Sequence, residues 1–447
     1  MSASYIGDDV LRIAGYTTPK SFKENIVKRA KLLWDLSCEN DKIVLIQSAL
    51  LIGFWFVDAE DVKQSWYWTG IAISISQTIG LHRDPDAKRR NSALSDRQRR
   101  SWRNIWWSCA ARDSWLAFGM GRPVRINAQD CDCPMPTVQD AKANFEDVVV
   151  NGKDVYAPDV DVFAGLWRDL LTVSAALNKL LSVRYRSHLD PPSKSQIEAL
   201  RTELAPKFAA SEMGATTDNP ALTVATRQLH LHQKAAQIAL FRPDPDSYAI
   251  SKVQEAAGAV NAILEKSMAD GTAIFTGPAT ISLLVPAMIT HLTAVKSKVA
   301  LTSQLGAHRL ELCLMFLRGL EDNYPAAGII GRLFLAVREK RGKGKGAVVT
   351  NGVQQHGLLD GVGFYSRSPE SSIGSSGFGL LPLEGGFFDM NGTDQYVRCL
   401  NIFRGMANYC ARDFLSMNFE LDFTQSFMGS ELLNGFSDFM DPYPPIP

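Results

Sequence analysis

Leu166, Leu170, Val173, Leu177 and Leu180 recur at steps of three and four, so a helix turning every 3.6 residues lays all five along one face. The same spacing runs from about residue 20 to 340, and the strict alternation of half-buried strands is scarce. With 447 residues, 46% of them apolar, the chain has material for one large core. The spacing predicts helices over 22–36, 41–57, 62–80, 95–119, 221–241, 250–269, 278–300 and 306–321, besides the one through Leu166. Segment 137–160, interrupted by "NGKD" and "APD", is expected to be a surface loop. No segment repeats at a fixed period, which argues against a solenoid. The expected fold is all-α: a large irregular multi-helix globular domain over residues 1–340, with a mostly disordered acidic C-terminal tail over 341–447.

The tail differs in composition. After "REKRGKGKG" (338–346), residues 351–447 hold eleven acidic side chains against four arginines and no lysine, a balance of minus seven. "SSIGSSGFG" (371–379) is typical of a flexible linker. Beyond it, Phe414, Phe419, Phe423, Phe427, Phe436 and Phe439 alternate with Asp413, Glu420, Asp422, Glu431 and Asp438. Acidic neighbours keep aromatic rings solvated until a partner groove takes them, so Phe423, Phe427, Phe436, Asp438 and Phe439 are the candidate contacts of an activation segment that folds on binding. A frayed acidic tail or a docked terminal helix would read the same way.

Charge and cysteine usage exclude several classes. Lysine plus arginine and aspartate plus glutamate number 47 each, so no net positive field draws the chain to nucleic acid. The seven cysteines are scattered, as suits core thiols in a reducing compartment. Of the two most apolar runs, 43–57 is too short to span a membrane, and 273–295 carries Pro278, Pro286 and His291; both are expected to be buried helices. Signatures of catalysis are weak. "GSSGFG" (374–379) lacks the second glycine of a nucleophile elbow, and "GKGKG" (342–346) lacks the leading glycine of a phosphate loop. His230 and His232 fall on different faces of one helix, where a bland helix surface is expected. Cys131 and Cys133 have no second pair at metal-ligand spacing, and Asp58, Glu60 and Asp61 have no matching acidic triad. The basic run from Arg83 to Arg103 is compatible with phosphate contact or nuclear import, but a solvated loop entering a helix capped by Ser95 explains it more simply.

"SWRNIWWSCAARDSWLAFGMGRP" (101–123) places four tryptophans among three arginines. Interleaved tryptophan and arginine suit a base-stacking platform, yet this helix is apolar nearly all round, with Trp102, Ile105, Trp106, Cys109, Leu116 and Met120 near one stripe and Trp107, Ala110, Ala111, Ala117 and Phe118 on the others. It is expected to be buried, with Arg103, Arg112 and Asp113 reaching the rim or pairing. Gly-Arg-Pro should form the turn that ends it.

These residues carry a resemblance. "GIAISISQTIGLHRDPD" (70–86) is similar to the Gly-x-Ala…Leu-Gly-Leu-His-Arg-Asp stretch of the fungal-specific transcription factor domain, the helical regulatory region of fungal zinc-cluster activators. Arg99, Arg100, Trp106, Trp107, Asp113, Gly121, Arg122, Pro123 and Ile126 fall on that family's basic-Trp-Trp, Asp and Gly-Arg-Pro positions, followed by Asp130, Asp132 and Pro134. "IQSALLIGFW" (46–55), "ALFRPDPD" (239–246), "QEAAGAVNAIL" (254–264) and "LELCLMFLRGLEDNYPAAG" (310–328) extend the likeness over about residues 20–338, and "RDSWLAFGMGRPVRI" looks closest to the cutinase and fatty-acid-responsive subgroup. Ser74 and Ser76 depart from the family's usual arginine and alanine.

The resemblance implies a nuclear regulator of RNA polymerase II transcription, not an enzyme, controlling a metabolic or secondary-metabolite gene set. It implies as partners the transcription machinery or a coactivator, a zinc-cluster factor as homo- or heterodimer, and a small-molecule effector, with no membrane. The family's six-cysteine zinc cluster does not occur in this sequence, so no cofactor is expected here and DNA would be reached only through a missing or partner module. Either that module's coding sequence lies upstream of Met1 or the chain is a stand-alone regulatory homologue. A helical ligand-binding protein or enzyme, and a repressor pairing with zinc-cluster paralogues, are the alternatives.

Overall fold

A computed structural model describes residues 7–54, 62–87, 94–142, 149–150, 153–154, 159–185, 192–209 and 219–343. They form thirteen α-helices and one small hairpin, so the expected all-α class holds for the described residues. The helices are α1 (Asp8–Ala14), α2 (Pro19–Asp35), α3 (Lys42–Ile52), α4 (Val62–Thr78), α5 (Asp96–Met120), α6 (Val138–Lys142), α7 (Val160–Arg184), α8 (Lys194–Phe208), α9 (Pro220–Phe241), α10 (Ser247–Ala269), α11 (Ala279–Ala294), α12 (Ala300–Leu320) and α13 (Pro325–Lys343).

Local chemistry sets the starts. Ser95 accepts from the Gln98 N–H while the Gln98 side chain accepts from the Ser95 N–H, a capping box that opens α5, and Ser193 with Gln196 opens α8 in the same way. Asn219 caps α9 with Pro220 at its first position. Helices α1, α8 and α13 were not expected from the spacing, α3 ends at Ile52 within the span expected to reach 57, and two further spans differ. The helix expected over 278–300 stops at Ala294; the chain reverses, α12 begins at Ala300, and the Ser303 hydroxyl donates 2.8 Å to the carbonyl of Val295 left open by the break. The loop expected over 137–160 instead holds α6 and a two-residue ladder pairing Val149 with Asp154 and Val150 with Lys153. Helix α6 exists because Asp140 accepts from the Thr137 N–H and hydroxyl at its start, while the carboxylate is drawn inward by Arg103.

The core has two main parts. A smaller one gathers Val27, Ile46, Ala49, Ile52, Trp68, Ala72, Ile73, Ile105, Trp106 and Cys109 from α2 to α5. A larger one takes in the far end of α5 and helices α7 to α13. Helix α5 belongs to both: Ile105, Trp106 and Cys109 in its first half lie in the small core, Ala117 and Phe118 near its end in the large one. With 25 residues it is about 37 Å long, enough to span both. Trp106 is 2% exposed, and burying a ring of that size removes roughly 4–6 kcal/mol of apolar hydration. Helix α11, within the longer of the two apolar runs, is buried in the large core, and among the described residues no helix is long and apolar enough to cross a membrane.

Candidate functional site

The turn that ends α5 brings together residues of α4, α5 and α7. Gly121 takes φ 62°, a left-handed conformation that glycine adopts without steric penalty, and so terminates the helix as expected. One Asp113 oxygen accepts from the N–H groups of Arg125 (2.8 Å) and Ile126 (2.9 Å), tying the segment after the turn back onto the helix. Asn178 of α7 donates 3.2 Å to the Ile126 carbonyl. Arg125 stacks 3.7 Å over the Trp66 ring of α4, and Arg122 lies 5.1 Å from it. Gly70 lies directly beneath: a Cβ there would stand 3.2 Å from the Arg125 Cζ, so only glycine leaves this room without displacement. The Gly-x-Ala, Asp and Gly-Arg-Pro positions therefore form one pin that joins α4, α5 and α7.

The Asp113 side chain is fully buried, and burial raises its pKa against the lowering effect of its two N–H donors and Arg125. The charged residues of α5 thus do not all reach the rim. Arg112 donates 3.0 Å to the Gly53 carbonyl and stacks 3.8 Å over Phe54, closing the end of α3, and burial lowers its pKa to about 10, so it stays cationic at neutral pH.

The four tryptophans pack inward. Trp107 donates to the Pro134 carbonyl (3.0 Å) and Trp115 to the Ser174 hydroxyl (2.9 Å), while Trp102 and Trp106 pack in the small core. Ser76, the departure in the Gly-x-Ala helix, is buried with its hydroxyl on the Ala72 carbonyl at 2.7 Å and 3.6 Å from the Cys109 sulfur; Ser74 bonds the Gly70 carbonyl.

Three expectations need correction. The described part of the basic run is held by ion pairs, although Ser95 caps the helix it enters as expected. Arg103 bridges Asp86 (2.7 Å) and Asp140 (2.8 Å), Arg99 also reaches Asp86, and Arg83 pairs with Asp132, so these cations hold segment 82–86 to α5 and to 132–133; residues 88–93 lie outside the described residues. His232 is not on a bland helix surface: it is 5% exposed, its Nδ1–H donates to the Gln228 carbonyl at 2.6 Å, and its ring meets Trp115 edge-on at 4.5 Å. Burial lowers its pKa to about 4, leaving it neutral. Segment 137–160, as above, is partly helical. Among the described residues no three histidine, cysteine or acidic side chains gather as metal ligands, and burial pushes the Cys133 thiol up to about 12.

A cleft of about 310 Å³ opens between α3, α5 and α7, lined by Gln47, Leu50, Ser101, Asn104, Ile105, Ser108 and Trp167. Sequence reasoning missed it, because its walls come from three helices whose packing no local spacing reveals. Phe423, Phe427, Phe436, Asp438 and Phe439, with the glycine-rich linker and the acidic tail, lie outside the described residues, as do Asp58, Glu60 and Asp61.

Comparison with known proteins finds a family match over part of the chain. Residues 3–205 match the fungal specific transcription factor domain. Cutinase transcription factor 1 alpha of Fusarium vanettenii is 26% identical over 339 residues, 72% of this chain and 36% of the relative. Cutinase transcription factor 1 beta of the same organism is 39% identical over 134 residues, 30% of this chain and 15% of its own length. The acetamidase regulatory protein of Emericella nidulans is 35% identical over 134 residues, 28% of this chain and 16% of the relative. The chain thus spans about a third or less of the length of these regulators. No solved structure gives a significant match.

Proposed function

We propose that this chain, whose residues 3–205 carry a fungal specific transcription factor domain, serves in the nucleus as the regulatory part of a factor controlling RNA polymerase II transcription of metabolic genes. The domain match carries the reading, together with relatives that are named transcription factors and regulatory proteins and point away from catalysis. The helical body is the input and the acidic-aromatic segment the output: Phe423, Phe427, Phe436 and Phe439 supply apolar anchors for a coactivator groove, with Asp438 and its acidic neighbours keeping them solvated beforehand. A bound metabolite or partner that favours one state of the body over another would shift exposure of that segment by its differential affinity. DNA contact would be supplied by a zinc-cluster module outside this chain or by a partner factor, since phosphate neutralisation needs clustered cations. The equal counts of cationic and acidic residues support that division, as does the pairing of Arg83, Arg99 and Arg103 with aspartates.

The test is a fusion of residues 400–447 to a heterologous DNA-binding domain. The expected result is reporter activation that falls to background when Phe423, Phe427, Phe436 and Phe439 are all changed to alanine; a silent wild-type fusion refutes the output assignment. In parallel, a gel shift with the purified chain is expected to show no sequence-specific complex at physiological salt.

A further inference from the structure

We infer that the outer face of α12, with the turn before it, is the docking surface for the acidic-aromatic segment 413–439 of the same chain. Leu305, His308 and Met315 follow Leu301 by four, seven and fourteen positions, so the four share one helix face, and all are exposed, Leu301 to 74%. Val299, the residue before the helix, adds a fourth exposed apolar side chain. Single exposed leucines are ordinary on a protein surface; a row of them on one helix face is where another apolar face can be covered.

Charge selects the occupant. Between Val295 and Leu320, Lys296, Lys298, Arg309 and Arg318 stand against one acid, Glu311, which already pairs with Arg318 and with Arg338 of α13. Lys298 and Arg309, on either side of Leu301 and Leu305 along the chain, have no carboxylate partner among the described residues. A second copy of α12 is a poor occupant, because a two-fold contact sets like charges against like. Segment 413–439 is the complement: it holds Asp413, Glu420, Asp422, Glu431 and Asp438 with no lysine or arginine. Its Phe419, Phe423 and Phe427 recur every four residues, the spacing of Leu301 and Leu305, with Glu420 and Asp422 between them. The whole chain is neutral and residues 351–447 carry minus seven, so residues 1–350 carry plus seven and attract the segment at longer range as well. Leu32, Leu33 and Leu36 at the end of α2 are also exposed, but Asp35, Glu39 and Asp41 follow in the same stretch and would repel it.

The segment is within reach of the face. Helix α13 packs on α12 and ends at Lys343, 70 positions before Asp413. A chain of that length extends up to ~230 Å, many times the ~31 Å of α12, so its length permits the return. Docked on α12, the phenylalanines are withheld from a coactivator; released, their acidic neighbours keep them solvated until one binds. That regulatory meaning rests on the reading of the segment as the output; the contact itself does not.

The test is carbodiimide cross-linking of the purified full chain, which joins a lysine amine to a carboxylate in contact with it and is read by mass spectrometry. The expected links join Lys296 or Lys298 to Asp413, Glu420, Asp422 or Glu431. Leu301→Ser and Leu305→Ser replace exposed side chains, so the helical circular dichroism should be retained while each weakens docking about tenfold and lowers the yield of links. Arg309→Glu, which breaks no ion pair of the described residues, should lower the yield too, as should raising the salt from about 0.05 to about 0.5 M. An equal mixture of ¹⁵N-labelled and unlabelled chain should give links within one isotope only. The inference is overturned if no link from Lys296 or Lys298 to the segment forms, or if the segment links to Lys28 of α2 or Lys42 of α3 as often. It is overturned as well if the paired leucine change leaves the yield unaltered, or if links join labelled to unlabelled chain, which assigns the occupant to a second copy. A silent fusion of residues 400–447 would remove the regulatory meaning and leave the links standing, whereas missing links beside an active fusion would remove the docking surface alone.

Discussion

Replacing Asp113 should separate the structural use of its oxygen from that of its charge. One carboxylate oxygen accepts both the Arg125 and Ile126 N–H groups in a fully buried site, so Asp113→Ala orphans two backbone donors at once. Each buried unsatisfied donor costs about 1–3 kcal/mol, and part of that is recovered because a buried charge is removed, which puts the net loss at about 3 kcal/mol. Asp113→Asn keeps an oxygen where both N–H groups point. It gives up the attraction of Arg125 but also the cost of burying an ion, so its loss should stay below about 1.5 kcal/mol. The pH dependence distinguishes them further. Burial raises the Asp113 pKa above its unfolded value near 3.9, so between that value and its folded pKa the native state holds the proton more tightly than the unfolded state does. Stability contributed by this group therefore falls as pH rises through that window and is constant above it. The stability of wild type minus that of Asp113→Asn should decrease over the same interval and then level off. Urea unfolding followed by tryptophan fluorescence, at a series of pH values from 3.5 to neutrality (about half a unit apart), measures both quantities with m checked for constancy. If Asp113→Asn is as damaging as Asp113→Ala, or Asp113→Ala costs under about 1 kcal/mol, the two-donor clamp is not what holds the turn.

Two further substitutions test the rest of the framework. Asp244 pairs with Arg184, which is 5% exposed at its side chain, and with Arg201 at 2.6 Å, joining α7, α8 and the end of α9; Asp244→Ala strips the poorly solvated Arg184 of its carboxylate, while Arg201 keeps Glu198 and Asp246, and should cost about 3 kcal/mol by urea unfolding, with little relief from added salt. His232 and His291 are both buried and lowered to about 4 by desolvation, so the unfolded state takes up protons first and the native state loses stability as pH falls from about 6.5 towards 4. The paired change His232→Phe and His291→Leu should flatten that decline; an undiminished slope in the variant would show that other groups carry it.

What the sequence disclosed depended on how local each interaction is. The stripe from Leu166 to Leu180 and the Ser95 capping box act within one or two turns, so spacing alone placed α7 and the start of α5. Helix α8 carries an equally local sign, Ser193 with Gln196, but its apolar face is sparse, with Leu200, Leu204 and Phe208 its buried side chains, so periodicity passed over it. His232 was misread because helix periodicity says which side chains share a face and nothing about what covers that face; Trp115, more than a hundred positions away in sequence, covers it. The pin followed a different course. Gly70, Asp113, Gly121, Arg122 and Ile126 could be picked out by resemblance as separate positions, yet the reason they belong together is a set of long-range contacts: Arg125 over Trp66, Asp113 on the Arg125 and Ile126 amides, Asn178 on the Ile126 carbonyl. The same holds for the cleft, whose walls meet only once α3, α5 and α7 are packed.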